Sequence, residues 1–277
     1  MSNYHLKDKV IAITGASGGF GAALCKALYE RGAKLALLDI DDAALAAQLE
    51  HYPDAYRAKS WHANVCDTDS LRDAMNAAAD YFGGIDVVIA NAGIDLIEPL
   101  TADGDDSFER VIDINLNGVW RTFRAALPHV KGSGGYLLAI SSMAAFVHSP
   151  LQASYTASKA GVWALCNSVR LELRQYGVSV GSLHPTFFKT PLLQNISDNS
   201  AGNALWGEHK EFPFKTVTIN EVVDAAIAAI ENRTEIVTVP SINGIIARAP
   251  GLFRKLIEGI GFKDKNVRKA MSFANDK

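Results

Sequence analysis

The sequence has few cysteines and no long apolar run. Only three cysteines, Cys25, Cys66 and Cys166, occur in 277 residues, and they are widely spaced. This odd number indicates neither a disulfide framework nor a zinc site and favours a reducing compartment. No run of roughly 18 apolar residues exists, so we predict no membrane-spanning helix. The first residues reach charged side chains at once, so we expect no secretory signal and a cytoplasmic location.

An excess of charge of either sign is also missing. The 27 basic residues nearly balance the 30 acidic ones, which leaves a net charge of −3. A nucleic-acid-binding protein needs a concentrated basic face, so we expect no nucleic-acid partner. The His, Cys and Asp residues form no cluster suited to a metal, and we predict none. The apolar fraction of 48% is typical of a globular chain that buries a large core.

Short apolar runs alternate with segments of helical periodicity along most of the chain. Apolar residues in succession indicate strands buried on both faces, which the intervening helices must cover. We therefore predict an α/β fold, a Rossmann-type doubly wound parallel sheet of about seven strands, in a single catalytic domain over residues 1–239. The predicted strands lie near residues 10–14, 35–38, 58–65, 87–90, 135–140, 178–183 and 235–239. Long helices are expected at 108–127 and 154–176, and a loop or lid at about 185–218.

A glycine-rich segment, Thr14-Gly15-Ala16-Ser17-Gly18-Gly19-Phe20-Gly21, separates the first strand from the first helix. At such a position the backbone can approach a pyrophosphate closely at a helix N-terminus. Asp39 ends the second strand, where a carboxylate can accept hydrogen bonds from a ribose diol and would repel a 2′-phosphate. The alternative is that Asp39 caps the next helix. No Arg or Lys occurs at residues 15–21 or 40, so NAD is favoured over NADP.

Two side chains with acid–base potential share one face of a predicted helix. Tyr155 and Lys159 are four residues apart, and an ammonium group near a phenol favours the phenolate. By itself this spacing is also typical of an exposed surface pair. Ser142 changes that balance, because it closes the fifth strand at the edge of the sheet where ligands bind. Ser141 is the competing candidate, but strand alternation would turn it to the opposite side.

These motifs together resemble those of the classical short-chain dehydrogenase/reductase family. Thr-Gly-x-x-x-Gly-x-Gly is followed by Asn91-Ala92-Gly93 and then by Tyr155-x-x-x-Lys159, and the resemblance spans about residues 8–240. It implies hydride transfer between a carbinol carbon and a nicotinamide. The implied catalytic residues are Asn115, Ser142, Tyr155 and Lys159.

The resemblance also implies a role for each of these residues. Tyr155 exchanges the hydroxyl proton, and Ser142 stabilises the substrate oxygen. Lys159 lowers the pKa of Tyr155 and binds the nicotinamide ribose. Asn115 holds a local helix distortion, and Asn117 is a weaker candidate for that role. The implied cofactor residues are Gly15, Ser17, Gly18, Gly19, Phe20, Gly21, Asp39, Ile40, Asn64, Val65, Asn91, Ala92, Gly93, Tyr155, Lys159, Pro185, Thr186, Phe188 and Thr190.

Three positions depart from the usual family pattern. Asn64-Val65 replaces an Asp-Val pair, and its Asn can still offer an oxygen to an adenine amino group. Pro185-Thr186 replaces Pro-Gly, so a turn beside the nicotinamide loses conformational freedom. Thr238-Val239-Pro240-Ser241 stands where Asp-Gly-Gly is usual, around which the family's tetramer packs. We therefore expect either a homodimer or a homotetramer.

The substrate pocket is predicted from apolar residues that follow Ser142 or lie in the lid. They favour a small hydrophobic secondary alcohol or ketone of the steroid, terpenoid or long-chain type. A lone histidine, such as His148 or His184, is interpreted as a hydrogen-bonding residue and not as a proton donor. A non-catalytic NAD-binding redox sensor and a 3-oxoacyl-thioester reductase stay open as alternatives. The candidate substrate residues are Met143, Phe146, Phe187, Leu192, Leu193 and Trp206.

Residues 240–277 are predicted to form a basic, amphipathic C-terminal extension. They carry 8 basic and 3 acidic residues, so the rest of the chain has a net charge of −8. An apolar stripe runs along one side of the predicted helix. We expect the stripe to pack on the acidic body or on a partner subunit; cover of the substrate pocket ranks second and membrane contact last. The stripe comprises Leu252, Phe253, Leu256, Ile257 and Ile260.

Overall fold

The computed structural model describes residues 4–101, 107–190, 194, 198–206 and 214–275. Seven parallel strands form one sheet in the order β3-β2-β1-β4-β5-β6-β7, which confirms the predicted fold class. The order reverses between β1 and β4, where open α/β sheets bind ligands. The strands are β1 Val10–Thr14, β2 Lys34–Asp39, β3 Ala58–His62, β4 Val87–Ala90, β5 Tyr136–Ile140, β6 Ser179–Pro185 and β7 Ile236–Val239.

Helices cover both faces of the sheet. One core joins the sheet to α1 and α8 through side chains such as Leu24 and Ile227. The other joins it to α3, α5 and α6 through side chains such as Met75, Phe123 and Val162. The helices are α1 Gly19–Glu30, α2 Asp42–Leu49, α3 Thr68–Phe82, α4 Ser107–Ile112, α5 Gly118–Val130, α6 Ala153–Leu173, α7 Ser200–Trp206, α8 Ile219–Asn232, α9 Gly244–Arg248, α10 Pro250–Gly261 and α11 Asp264–Asn275.

The predicted continuous helix at 108–127 is wrong. A π-helical turn at Asp113–Asn117 separates α4 from α5. The side chain of Asn115 lies in this turn and bonds to neighbouring segments, which compensates for the wider backbone path.

Two other element boundaries also differ from the prediction. The third strand ends at His62, and the Ser70 hydroxyl accepts a hydrogen bond from the Asn64 backbone amide as the chain turns towards α3. The segment predicted as a loop contains α7, and Phe188 forms an isolated parallel bridge with Val217.

The C-terminal extension forms α9, α10 and α11, and α11 packs against α7. Of the predicted apolar stripe on α10, Ile257 is buried, whereas Leu252, Leu256 and Ile260 are exposed in the single chain. Packing of these three on a partner subunit stays a prediction. Within the described ranges, no helix is both long and apolar enough to cross a bilayer.

A buried tyrosine ties the centre of the sheet to its far edge. The hydroxyl of Tyr136, on β5, donates a 2.6 Å hydrogen bond to the carbonyl of Thr234, just before β7. We expect Tyr136→Phe to lower the free energy of unfolding by about 1 kcal/mol, since it removes a hydrogen bond to a part-buried carbonyl. Urea unfolding measures the change. Tyr56→Phe, at an 85% exposed position, is the control. Equal stability of the two variants would contradict the prediction.

Candidate active site

The carboxyl ends of the strands border a cavity of about 940 Å³. The turn after β1, the end of β2 and the segments after β4, β5 and β6 all contribute to its wall. Every cofactor residue predicted from the sequence lies in that wall, as do Ser142 and the candidate substrate residues Met143, Phe187 and Trp206. The sheet therefore brings residues from across the sequence to a single cavity.

The glycine turn between β1 and α1 is shaped by backbone contacts. Gly15 has a φ of +64°, which is strained for other residues. A Cβ added to Gly21 would lie 2.2 Å from the Gly15 carbonyl oxygen, so only glycine fits there. The Asn91 amide donates hydrogen bonds of 3.0 and 2.8 Å to the carbonyls of Thr14 and Gly15. The turn and the first N–H groups of α1 thus fit the diphosphate of a dinucleotide.

Asp39 lies at the cavity wall with its carboxylate fixed by its neighbours. Its Oδ2 accepts from the backbone N–H and the hydroxyl of Ser17, at 3.0 and 2.6 Å. Its Oδ1 accepts from the backbone N–H groups of Ile40 and Asp41. Asp41, and not Asp39, caps α2. The alternative interpretation of Asp39 as the helix cap is therefore wrong, and its charge is available to the cavity.

The end of the cavity that is predicted to hold adenine contains two residues that the sequence did not indicate. Cys66 and Arg110 line it beside the predicted Asn64 and Val65. One oxygen lone pair of Asn64 is engaged, because its Oδ1 accepts a hydrogen bond from the Cys66 backbone amide at 2.9 Å. No motif marks Arg110, which the end of α4 brings to the cavity.

Asn115 connects the segment after β4 to the catalytic helix. Its Oδ1 accepts from the Ile94 backbone amide, and its Nδ2 donates to the Ile94 carbonyl at 2.8 Å. The same Nδ2 donates to the Ser158 hydroxyl at 3.1 Å. The side chain of Asn117 instead donates to Asp113. The helix distortion implied for Asn115 is thus the observed π-helical turn.

Ser142, Tyr155 and Lys159 lie together at the cavity. The ammonium of Lys159 is 5.4 Å from the centre of the Tyr155 ring and donates to the Ile140 carbonyl at 3.0 Å. Ser142 is half-buried in the cavity wall, whereas Ser141 is buried and its hydroxyl donates to the Lys159 carbonyl. This arrangement separates the two serines as strand alternation predicts.

Burial controls the charge of these side chains. Burial lowers the pKa of Lys159 to about 8, although the Asp95 carboxylate opposes that change. Burial also raises the pKa of Tyr155, and Asp95 adds to the rise while a hydrogen bond with Ser142 opposes it. The net direction of the Tyr155 pKa shift is therefore upward in the chain alone, and the lowering effect of Lys159 stays a prediction. A Tyr155 phenolate at neutral pH requires additional positive charge in the cavity.

Asp95 and Gln152 form a polar part of the wall that the sequence analysis missed. The Gln152 amide donates a 2.6 Å hydrogen bond to Asp95 Oδ2. Burial raises the pKa of Asp95 to about 7, against the effects of the Gln152 hydrogen bond and the Lys159 charge. Their positions in the sequence could have indicated this role. Asp95 follows Asn91-Ala92-Gly93 by two residues, and Gln152 precedes Tyr155 by about one helical turn.

Aromatic rings form the substrate end of the cavity. Trp206 has its ring centre 4.8 Å from that of Phe187 and 5.6 Å from that of Phe214. It also contacts Phe262 of the C-terminal extension at 5.3 Å, so the extension supports this wall. The prediction for Phe146 is wrong: its ring packs into the body against Trp163 and His184. Leu192 and Leu193 lie outside the described residues.

The segment after β6 follows a defined path despite its unusual Thr186. The Thr186 backbone amide donates to the Val239 carbonyl at 2.8 Å, which extends the β6–β7 pairing by one bond. Phe188 then contacts Phe20 edge-on, with ring centres 5.7 Å apart. His184 is fully buried; its ring nitrogens bond to the Ser142 carbonyl and the Ser182 hydroxyl, and burial lowers its pKa to about 4. It is a neutral structural residue.

Comparison with known proteins relates this site to one family. A model of the short chain dehydrogenase family matches residues 9–201. Over 206 residues the chain is 36% identical to (-)-trans-carveol dehydrogenase from Rhodococcus erythropolis, covering 69% of this chain and 74% of that protein. The crystal structure of levodione reductase matches with a TM-score of 0.76 at 27% identity, covering 84% of this chain and 96% of that chain.

A further similar structure is a complex with a reduced cofactor. The structure of 3-ketoacyl-(acyl-carrier-protein) reductase from Brucella melitensis, complexed with NADH, matches with a TM-score of 0.73 at 25% identity. That match covers 84% of this chain and 97% of the other. The chain belongs to the short-chain dehydrogenase/reductase family, a family of oxidoreductases.

The raised Asp95 pKa predicts a pH-dependent stability. A carboxyl with a pKa of about 7 when folded, against 3.8 ordinarily, binds its proton more tightly in the folded state. Its contribution to the free energy of unfolding therefore falls as pH rises from about 4 to about 7. We expect Asp95→Asn to gain about 2 kcal/mol relative to wild type between pH 4.5 and 7.5. Lys159 and Tyr155, the titratable groups that interact with Asp95, keep their protonation over most of this range.

Chemical unfolding at several pH values checks this expectation. Asp73→Asn, an exposed position on α3, is the matched control and should show no such trend. A stability difference between wild type and Asp95→Asn that stays constant or reverses sign with pH would contradict the burial of the Asp95 charge.

Proposed function

We propose that this protein is an NAD-dependent oxidoreductase that interconverts a secondary alcohol and a ketone, with a hydrophobic substrate. The observation that carries the proposal is the convergence of Ser142, Tyr155 and Lys159 on the cavity that also holds the glycine turn and Asp39. A nucleotide cradle and a proton-transfer group are thus combined in one enclosed volume. The similarity to a carveol dehydrogenase and a levodione reductase supports this type of reaction.

When bound, the nicotinamide would supply the hydride acceptor or donor. The side chains of this chain would orient the substrate and handle its proton. The Ser142 hydroxyl would hydrogen-bond the substrate oxygen and hold it beside the Tyr155 hydroxyl. Tyr155 would take the alcohol proton during oxidation and return it during reduction. Lys159, held by the Ile140 carbonyl, would contribute positive charge that favours the Tyr155 phenolate.

Asp39 supports NAD over NADP. Its carboxylate is held at the cavity wall by the Ser17, Ile40 and Asp41 groups, so a 2′-phosphate could not displace it easily. The negative charge would repel that phosphate, and a ribose hydroxyl would take the place of the Ser17 hydroxyl as a donor to Oδ2. The NADH complex of the Brucella reductase is consistent with this assignment.

The aromatic wall supports an apolar substrate. Phe187, Trp206 and Phe214 present ring surface to the cavity, and Met143 adds a flexible apolar side chain. Such walls favour alicyclic or long-chain molecules by removing their surface from water.

The cytoplasmic location and the assembly into a homodimer or homotetramer remain predictions.

Removal of one hydroxyl tests the proposed chemistry. We expect Tyr155→Phe to lower kcat/KM for a hydrophobic secondary alcohol by about 10²–10⁴-fold, because it removes the proton-transfer group. NAD binding, measured as a thermal shift, should persist. Tyr176→Phe removes a hydroxyl just beyond the same helix and should retain activity. An inert wild type that still binds NAD would contradict catalysis and favour the redox-sensor alternative.

Replacement of the ribose-facing carboxylate tests the cofactor assignment. We expect Asp39→Ala to lower the ratio of kcat/KM for NAD to that for NADP by about tenfold or more, since the repulsion is lost. Asp42→Ala removes the same charge from a 71% exposed side chain nearby and should leave the ratio unchanged. An unchanged ratio in Asp39→Ala would remove the basis for the NAD preference.

A further inference from the structure

Gln152 is held in one orientation beside the catalytic residues. Its Oε1 accepts two hydrogen bonds, from the Ser149 hydroxyl at 2.7 Å and from the Trp206 indole N–H at 3.1 Å. Both oxygen lone pairs are therefore used, and its Nε2 must face the other way. That nitrogen donates to Asp95 Oδ2 at 2.6 Å. The orientation of the amide is fixed by its partners on two sides.

Asp95 is left with fewer donors than an ionised carboxylate requires. Its Oδ1 is buried and has no hydrogen-bond partner in the part of the chain that the structure describes. A carboxylate offers about four acceptor positions, and an unsatisfied buried one is costly. Burial raises the pKa of this carboxyl to about 7, and the Gln152 hydrogen bond, the Lys159 charge and the Leu96 backbone amide oppose that rise only in part.

The surroundings of this carboxyl group point to a ligand. Asp95, Gln152 and Ser149 line the same cavity as Tyr155, whereas the neighbouring wall is formed by Ile94, Val147 and Trp206. A polar group in an otherwise apolar pocket fixes the orientation of a ligand. The χ2 torsion of an aspartate is broad and roughly two-fold, so a turn about χ2 would direct Oδ1 towards a donor in the cavity.

We propose that Asp95, held by Gln152, is a specificity-determining residue that accepts a hydrogen bond from a second hydroxyl group on the substrate. The preferred substrate is then an alicyclic alcohol that carries a second hydroxyl group on its ring. One hydroxyl reacts at Tyr155, and the other binds Asp95. This inference rests on the proposed function and narrows its substrate class from hydrophobic alcohols to hydroxylated ones.

Three matched alcohols provide the test: cyclohexanol, a cyclohexanediol and a cyclohexanol that carries a keto group. At the second position, cyclohexanol has no polar group, the diol has a hydrogen-bond donor, and the keto alcohol has only an acceptor. At about pH 8.5, above the Asp95 pKa of about 7, we expect wild type to prefer the diol to the other two by about tenfold or more in kcat/KM, as a hydrogen bond to a charged acceptor allows. The cyclohexanediols with 1,2, 1,3 and 1,4 spacing are each measured, because the preferred one reports the distance from Asp95 to the reacting carbon.

Two variants separate recognition from structure. Asp95→Asn replaces one acceptor oxygen by a donor, so its preference for the diol over the keto alcohol should fall to within about threefold. Asp95→Leu should lose the diol preference, measured as the ratio of kcat/KM for the diol to kcat/KM for cyclohexanol, whatever the change in its absolute rates. Asp73→Asn, far from the cavity, should keep the wild-type ratios. Equal ratios for every diol in wild type and Asp95→Asn would overturn the proposal.

A binding measurement keeps the inference independent of turnover. With NAD present, the preferred diol should raise the Tm of wild type more than cyclohexanol does, and Asp95→Leu should abolish that difference. Failure of all alcohols to react would contradict the proposed function, and the thermal shifts would still decide the subsite. Turnover of cyclohexanol with no diol preference in either measurement would reject the subsite alone.

Discussion

The Asn115 amide is the constraint on which the arrangement of the site depends. It bonds to both backbone groups of Ile94 and to the Ser158 hydroxyl, and so joins the segment after β4 to α6. The Ser158 hydroxyl in turn donates to the Tyr155 carbonyl within the catalytic helix. Gly93 packs closely against both Asn115 and Lys159. A Cβ on Gly93 would lie 3.2 Å from Asn115 Oδ1 and 3.5 Å from Lys159 Nζ. The distance between the glycine turn and Tyr155 is therefore set by the hydrogen bonds of the Asn115 side chain and by the absence of a side chain at Gly93.

The electrostatics of the site follow from enclosing three titratable groups in one cavity. Burial destabilises each charge, and it moves the pKa values of Lys159 down and of Tyr155 and Asp95 up. Asp95 and Lys159 stabilise each other's charge, whereas Asp95 opposes formation of a Tyr155 phenolate. The chain alone thus holds Tyr155 protonated. An oxidised nicotinamide would bring positive charge to this cavity and offset the effect of Asp95. Base strength at Tyr155 would then be coupled to cofactor binding.

The parts of this structure that depend on local pattern could be predicted from the sequence. Apolar runs such as Val10–Thr14 fixed the strands, and the glycine turn marked the nucleotide end. Periodicity did not locate the π-helical turn, in which Ile114 and Leu116 alternate with three polar residues; only the family resemblance implied a distortion at Asn115. The sign of the Tyr155 pKa shift depends on burial and on Asp95, which is 60 positions away in the sequence. Phe146 and Phe187 are the same residue type, but Phe146 packs in the core and Phe187 lines the cavity. The sequence alone does not distinguish these two environments.

The most direct test of the account follows the hydrogen on the carbinol carbon. A hydrophobic secondary alcohol deuterated at that carbon is incubated with the protein and NAD, and the reduced cofactor is analysed by mass spectrometry. The account predicts that deuterium appears in the cofactor, that ketone forms in equal amount, and that Tyr155→Phe suppresses both while it still binds NAD. Tight NAD binding by wild type with no deuterium transfer from any alcohol in the panel would contradict the central claim.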